Sequence, residues 1–368
     1  MNDHPESWLT LQNAEEIASP GLLIDPDRVA VNIQRMIEIV GGPQQVRRLR
    51  PHVKTHKMLN VARMQLEAGI DKFKTATLKE AEMVASAGAA DVLLAYQPVG
   101  PNLRRLSELT GRFPETSFAA ITDDVDAAAA IAQRLADPQN PFRLFIDVDC
   151  GMHRTGIELG EAMHRLREWI EQHPGVRFAG LHVYDGHIHD PSLQRRDQKA
   201  RSIIAAVRQY DQEHPSPVII GGGSPTFSTW AEQTEWQCSP GTPVFWDIGY
   251  QSDHPEFPFA IAIAILTRVI SKPGRDRICL DLGYKAVSSE MPLEQRVRLP
   301  QISDARFVGQ SEEHLVIETE RANRVSVGDS FLAFPRHICP TVALHGFASV
   351  VRGGRATGEV WEISARDR

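Results

Sequence analysis

A chain of 368 residues, 42% hydrophobic and 24% charged, can bury a large core and is ordinary in composition for a soluble globular protein. Its net charge of −7 excludes nucleic acid as a main partner, because binding phosphate backbones needs a concentrated basic surface. Met1–Glu6 shows no basic stretch ahead of an apolar core, and the longest apolar run, Phe259–Leu266, is too short to span a bilayer. Cys150, Cys238, Cys279 and Cys339 are scattered without disulfide or zinc-finger spacing, so a cytoplasmic protein with no membrane partner is expected.

Residues 1–20 read as an N-terminal segment that packs on the C-terminal part of the chain. Val29, Ile33, Met36, Ile37 and Val40 then share one helical face. Short buried strands are predicted at Val46–Val53, Asp71–Ala76, Asp91–Tyr96, Thr116–Ile121, Phe142–Asp149, Val176–Tyr184, Pro217–Gly221 and Thr242–Asp247. Helical patterns fall between most of them. Thr77-Leu78-Lys79-Glu80 is a capping box opening a helix that ends near Gly88, and Ala127–Ala136 is helical by propensity. About eight β/α units in roughly 200 residues is the rhythm of a (β/α)8 TIM-like barrel, assigned to residues 21–252. An open doubly wound sheet is the alternative. After Asp253–Pro258 the pattern changes to strands without intervening helices, at Ile261–Ile265, Arg277–Leu282, Leu315–Glu318, Ser330–Phe334 and Ala348–Arg352. Residues 253–368 therefore read as a C-terminal β domain.

Polar clusters follow the predicted strands at their carboxyl ends, where barrel active sites are built. Lys54 lies in Arg50–Lys57, behind Pro51, which excludes a helix interior and stiffens the segment. A lysine held so, among basic neighbours, suits Schiff-base chemistry; alone, the motif reads better as a solvated strand end. Gly221-Gly222-Gly223-Ser224 follows the seventh strand. Its glycines let amide N–H groups approach an anion, Ser224 adds a hydroxyl, and Thr226 is placed to cap a short helix whose positive end favours phosphate. A tight glycine turn explains a lone run of this kind about as well. A Schiff-base lysine facing a phosphate cradle implies pyridoxal phosphate. His337 and Cys339 are two apart in what reads as an extended run, sharing a face, and both suit zinc. Taken alone, that pair is better explained by a buried cysteine beside a satisfied histidine.

Arg50–Lys57 resembles the lysine motif of the fold-type III pyridoxal-phosphate enzymes that include D-threonine aldolase and D-serine dehydratase. The resemblance extends through Ala76–Glu82, Val148–Gly156, Gly221–Thr226, Pro240–Asp247, Asp281–Glu290 and His337–Thr341, nearly the whole chain. It implies an alanine-racemase-like barrel with a C-terminal β domain, pyridoxal 5'-phosphate on Lys54 rather than Lys57, and a homodimer. It further implies that Arg154 reaches the cofactor's phenolic oxygen, with Tyr184, Gly222, Gly223 and Ser224 also cofactor-binding. Tyr184 could equally just close its strand, and Arg154 could be a surface arginine in a turn. The resemblance makes His337 and Cys339 ligands of a divalent metal, zinc or manganese, that grips the substrate's β-hydroxyl.

The comparable aldolases carry His-x-Asp where this chain has His337-Ile338-Cys339, as the dehydratases do, and Gly180–His187 matches neither subgroup closely. His187 and His189 are candidates for the base at the β-hydroxyl and equally for solvated loop histidines. The expected activity is that of a lyase acting on small β-hydroxy-D-amino acids, D-threonine to glycine and acetaldehyde. The alternative is a D-serine or D-3-hydroxyaspartate dehydratase. An amino-acid racemase and a non-catalytic pyridoxal-phosphate carrier are further readings. A functional His337–Cys339 pair speaks against the racemase, and the extra β domain against the carrier.

Overall fold

The computed structural model describes residues 11–368. They divide into two compact units that interleave in sequence. A barrel unit contains Gln34–Lys54, Val61–Gly241 and Asp367–Arg368. A sheet unit contains the described residues up to Ile33, Thr55–Asn60 and Thr242–Arg366. This division is finer than a boundary at residues 252 and 253, because strand β1 (Gly21–Ile24) pairs within the sheet unit.

The next seven strands are parallel neighbours in chain order. They are β2 (Lys72–Thr75), β3 (Asp91–Leu94), β4 (Ser117–Thr122), β5 (Phe142–Val148), β6 (Val176–Val183), β7 (Ile219–Gly221) and β8 (Gln237–Cys238). Leu49–Val53 closes them into a ring. On one side the Arg50 and His52 amides donate to the Cys238 and Pro240 carbonyls. On the other, Val53 N–H donates to Lys74 O and Lys74 N–H to Pro51 O, all at 2.9 Å. The predicted first strand at Val46–Val53 is thus a 3-10 turn over Pro43–Arg48 followed by this short extended stretch. Pro51 has no N–H to give, so pairing is confined to alternate residues.

The expectation of a strand at Thr242–Asp247 is corrected: Thr242–Val244 is a 3-10 turn and the helix Ile248–Asp253 follows. Pro240 and Pro243 cannot donate to a ladder, and Asp247 caps that helix by accepting from Tyr250 N at 2.8 Å. The eighth position is taken earlier, by β8. The capping box forms as read: Thr77 Oγ1 accepts from Glu80 N at 3.1 Å, and Glu80 accepts from Ala76 N at 2.6 Å.

Same-face residues of β5 show how the barrel interior is layered. Arg143 sits at the amino end, Phe145 joins Leu93, Ala119, Ile121, Ala179 and Ile220 in an apolar middle, and Asp147 bonds His182. At the amino end Asp91 takes paired hydrogen bonds from both Arg50 and Arg143 at 2.8–3.0 Å. Arg50 is 1% exposed, so this network is buried as well as paired.

The sheet unit adds β9 (Ile263–Ser271), β10 (Arg277–Leu280), β11 (Val297–Arg298), β12 (Arg306–Gln310), β13 (Leu315–Glu318), β14 (Ser330–Pro335), β15 (Phe347–Arg352) and β16 (Arg355–Glu362). Its order is β12-β13-β10-β9-β1-β15-β16, with β14 joining β9 to β11. The Ile-Ala alternation at Ile261–Ile265 is buried at every position. It alternates large and small side chains, not apolar and polar ones. Asn13 extends the sheet edge by bonding the Ala356 N–H and C=O with its side-chain amide, at 2.8 and 3.1 Å. Residues 1–10 of the expected N-terminal segment lie outside the described residues.

Candidate functional site

Lys54 is the first residue past the closing stretch, at the carboxyl ends of the strands. Its Nζ stands 5.6 Å from the centre of the Tyr184 ring. Arg154 stands 5.4 Å from the same ring, and Lys74, a residue that the sequence reading did not single out, 5.3 Å. Three cations around one aromatic ring favour an anionic ligand among them. Arg154 is presented by a loop that Asp149 shapes, its carboxylate accepting from Gly151 N at 2.9 Å and His153 N at 3.0 Å. Lys57, the weaker lysine, instead has a φ of 54° and bonds Ala365 through both its main chain and its Nζ.

Lys74 is 2% exposed. Its Nζ lies 3.4 Å from His182 Nε2, and His182 Nδ1 lies 2.7 Å from Asp147 Oδ1. Thr155 donates to the other Asp147 oxygen at 2.9 Å. Burial, then the charge of Lys54, pulls the Lys74 ammonium down to about 7, against the pull of Asp147 and Asp185. Burial and Lys74 likewise hold His182 below its ordinary value. A neutral ring fits its contacts: Nδ1–H donates to Asp147 while Nε2 accepts from Lys74. Each of these residues is a polar interruption in an apolar strand, and that is the signal by which the sequence could have given them up.

The glycine run is shaped first by Trp230. A Cβ on Gly221 would lie 2.0 Å from its indole, and one on Gly222, where φ is +81°, 2.8 Å. Side chains at these positions are thus excluded by packing, whatever binds above. Gly223 borders Tyr184 and Asp185 at 3.3 and 3.5 Å. Its amide is taken by Thr226 Oγ1 at 3.2 Å, so Thr226 precedes the helix Phe227–Gln233 without capping it, and Gly241 N donates to Ser224 at 3.2 Å. Trp230 Nε1 donates to Asp185 Oδ2 at 2.8 Å, and Asp185 Oδ1 is buried without a hydrogen-bond partner. Burial raises the Asp185 carboxyl. An orphaned oxygen beside a cationic cluster fits a group with an aromatic ring, a phosphate and a donor, as pyridoxal phosphate has.

After strand β6, His187 is half-buried, with Nε2 3.3 Å from where a Cβ on Gly151 would stand and Nδ1 buried without a partner. His189 is exposed. Cys150 bonds the Tyr184 carbonyl at 3.3 Å, and burial, aided by Asp185 and Asp149, pushes its thiol up to about 12, which leaves it inert.

In the sheet unit, His337 and Cys339 are not in an extended run. His337 precedes a short helix, Ile338–Val342, that contains Cys339. Pro335 ends β14, and buried Asp247 accepts Ile338 N at 3.1 Å, which turns the chain into that helix. Even so the two side chains meet. Burial pulls the His337 imidazole down, but hydrogen bonding and charge from Cys339 and Glu290 push it up to about 9. The turn therefore favours positive charge between a thiol and a carboxylate. Glu290, which the sequence reading did not assign, bonds His337 Nδ1, the support a ligating histidine commonly receives. Thr55, next in the chain after Lys54, has its Oγ1 3.1 Å from Cys339 Sγ. Among the described residues, no three His, Cys, Asp or Glu side chains form a ready-made metal cage. The pair with its carboxylate fits a metal held by few protein ligands, with positions left for substrate and water.

Residues 24–246 match the family described as alanine racemase, N-terminal domain, and residues 262–351 match a putative serine dehydratase domain. A D-threonine aldolase from Arthrobacter sp. is 29% identical over 86% of this chain and 85% of its own length. A D-threo-3-hydroxyaspartate dehydratase from Delftia sp. (strain HT23) is 28% identical over 88% of this chain and 92% of its own. The crystal structure of D-threonine aldolase from Filomicrobium marinum superposes with a TM-score of 0.85 at 25% identity, covering 97% of each chain. No helix among the described residues is long and apolar enough to cross a membrane.

Proposed function

The chain belongs to the alanine racemase N-terminal domain family, and from that premise we propose that it is a pyridoxal-phosphate-dependent lyase acting on β-hydroxy-D-amino acids, cleaving D-threonine to glycine and acetaldehyde. The observation that carries the reading is the gathering of Lys54 and Arg154 on the Tyr184 ring, at the end of the barrel where active sites are built.

Pyridoxal phosphate, when bound, supplies an aldehyde for amines to condense with and a ring that takes up the electron pair left at Cα. Lys54 would hold it, Arg154 and Tyr184 would orient it, and Gly222, Gly223 and Ser224 would border its phosphate. A divalent metal at His337 and Cys339, zinc or manganese, would make the substrate's β-hydroxyl more acidic. In the aldol cleavage a base takes the β-hydroxyl proton, the Cα–Cβ bond breaks, and Lys54 Nζ delivers a proton to Cα. His187, half-buried with an unpartnered nitrogen, is better placed as that base than exposed His189.

A dehydratase is the second reading, favoured by Cys339 beside His337 and by the serine dehydratase match at residues 262–351. There Lys54 Nζ removes the Cα proton and the β-hydroxyl leaves. The two readings separate on products. Protein loaded with cofactor and metal should release glycine and acetaldehyde from D-threonine. Formation of 2-oxobutanoate and ammonia would select the dehydratase instead. No product from D-threonine, D-serine or D-3-hydroxyaspartate would end both.

A further inference from the structure

Lys74 has no part in the activity as derived so far, yet a lysine is an unusual side chain to bury in a barrel strand. Its place is fixed from two directions. Through its main chain it pairs with the closing stretch, accepting from Val53 N and donating to Pro51 O, so it is laced to the residue that precedes Lys54. Through its side chain it leans on His182 Nε2, with Asp147 behind the imidazole. The other charged or titratable groups facing it are Lys54 and Arg50 on the closing stretch, Tyr184 and Asp185 after β6, and Arg154 beyond β5.

We propose that Lys74, held by His182 and Asp147, is the proton-exchange partner of Lys54, a positioning residue that acts through the cofactor lysine. This rests on the lyase reading for its purpose but not for its test.

A neutral Lys74 donates one N–H to His182 Nε2 and keeps a lone pair. When Lys54 is an ammonium, an N–H bond breaks at Lys54 Nζ and one forms at Lys74 Nζ; the positive charge moves from one amine to the other and nothing else changes. The return transfer re-arms Lys54. The asymmetry that makes Lys74 the acceptor is its surroundings. Burial makes its charge costly enough that it is neutral part of the time near neutrality, while Asp147, transmitted through the imidazole, keeps the charged form within reach. An ordinary surface lysine would stay protonated and could accept nothing.

The test needs no turnover. In protein labelled with 15N on the lysine side chains, the Nζ resonance that disappears in Lys74→Met should titrate near 7. It should move to higher pH in Lys54→Ala, where the repelling amine is gone, and to lower pH in Asp147→Asn. A Lys74 resonance titrating in the ordinary lysine range, or one indifferent to Lys54→Ala, would overturn the proposal even if the protein proves to be an active lyase. The kinetic arm separates proton exchange from scaffolding. Lys74→Arg keeps the N–H for His182 but cannot give up its proton. Lys74→Arg and Lys74→Met should both lose about 100-fold in kcat and the pH limb near 7, at unchanged cofactor absorbance. Recovery by Lys74→Arg would reduce Lys74 to a structural donor. If no lyase activity is found but the titration appears as described, the inference about Lys74 stands and the functional reading fails alone.

Discussion

At the amino ends of the barrel strands, Asp91 binds Arg50 and Arg143 through paired hydrogen bonds, and every charge there has a partner. At the carboxyl ends, Lys54, Lys74 and Arg154 crowd one tyrosine ring, Asp185 keeps an unpaired oxygen, and His187 an unpaired nitrogen. The two ends are made from the same strands: β5 contributes Arg143 to one and Asp147 to the other. Charge at the first end is spent on holding the ring closed through Arg50 in the closing stretch. At the second it is left unbalanced, at a cost in stability, where a ligand or a proton can settle it. Substitutions at the first end should therefore change stability and spare the chemistry, and those at the second the reverse.

The largest effect should come from Lys54→Ala, which removes the amine that anchors cofactor and handles the Cα proton. Borohydride reduction should leave no cofactor attached to the variant, while Lys57→Ala keeps it, and turnover should fall below detection with the melting temperature little changed. A reduced adduct surviving in Lys54→Ala would break the comparison at its centre. Chelation should likewise abolish turnover while the cofactor absorbance persists, since the metal would be held by His337 and Cys339.

The opposite end is tested by Asp91→Ala. It strands Arg50, which is 1% exposed, without a counter-charge, a change that typically costs about 3–5 kcal/mol. Thermal melting should drop accordingly, and the cofactor spectrum of the surviving folded protein should be unchanged. The sign with pH follows from the arginines beside Asp91. Burial alone would raise its carboxyl, but the guanidiniums hold it well below the usual range. Its contribution is therefore present above about 3.8, the unfolded value, and is lost as the pH falls through the folded value.

Lys74 should show the reverse trend. Its folded value is about 7 against 10.5 unfolded, so between the two the unfolded chain binds more protons. Stability of the natural protein should rise with pH across that window relative to Lys74→Met, by at most about 1.4 kcal/mol per pH unit. Below 7 both states are protonated and the gap should be flat. A difference curve with no slope between 7 and 10 would mean that Lys74 is not buried as a charge at all.

How far the sequence carried differs between the two regions of the site. Lys54 was legible because Pro51 announces an extended, stiff segment, and the strand rhythm placed that segment in a barrel. The glycine run was legible as a position but not as a cause, because Trp230, the side chain that excludes Cβ atoms at Gly221 and Gly222, comes from later in the chain. His337 and Cys339 were legible as a pair, but their backbone was not: Asp247, ninety residues away, turns the chain there through Ile338 N. Thr242–Asp247 was misread as a strand for want of weighing Pro243 against the apolar run. Lys74, His182 and Asp147 were passed over because each strand was read for its apolar residues. Their polar interruptions carry meaning only once three strands are laid side by side.

The smallest effect expected separates two histidines that the sequence left even. A general base must come within about 3 Å of the proton it removes, or reach it through one water. His187 meets the preconditions: it is half-buried, packed against the Gly151 loop that leads to Arg154, and has a nitrogen with no partner. His189, two residues on, is exposed, and an exposed imidazole gains nothing from the dry, cation-rich end of the barrel. His187→Ala should slow aldehyde release from D-threonine by about 10-fold or more, the low side of what a positioned base contributes. His189→Ala should stay within about 2-fold. Because the loss is in a proton transfer, the His187→Ala defect should appear in kcat, with cofactor binding unchanged. Equal, small effects for both would return the pair to the status of loop histidines. The base at the β-hydroxyl would then have to be sought beside His337, where Glu290 is the group within reach.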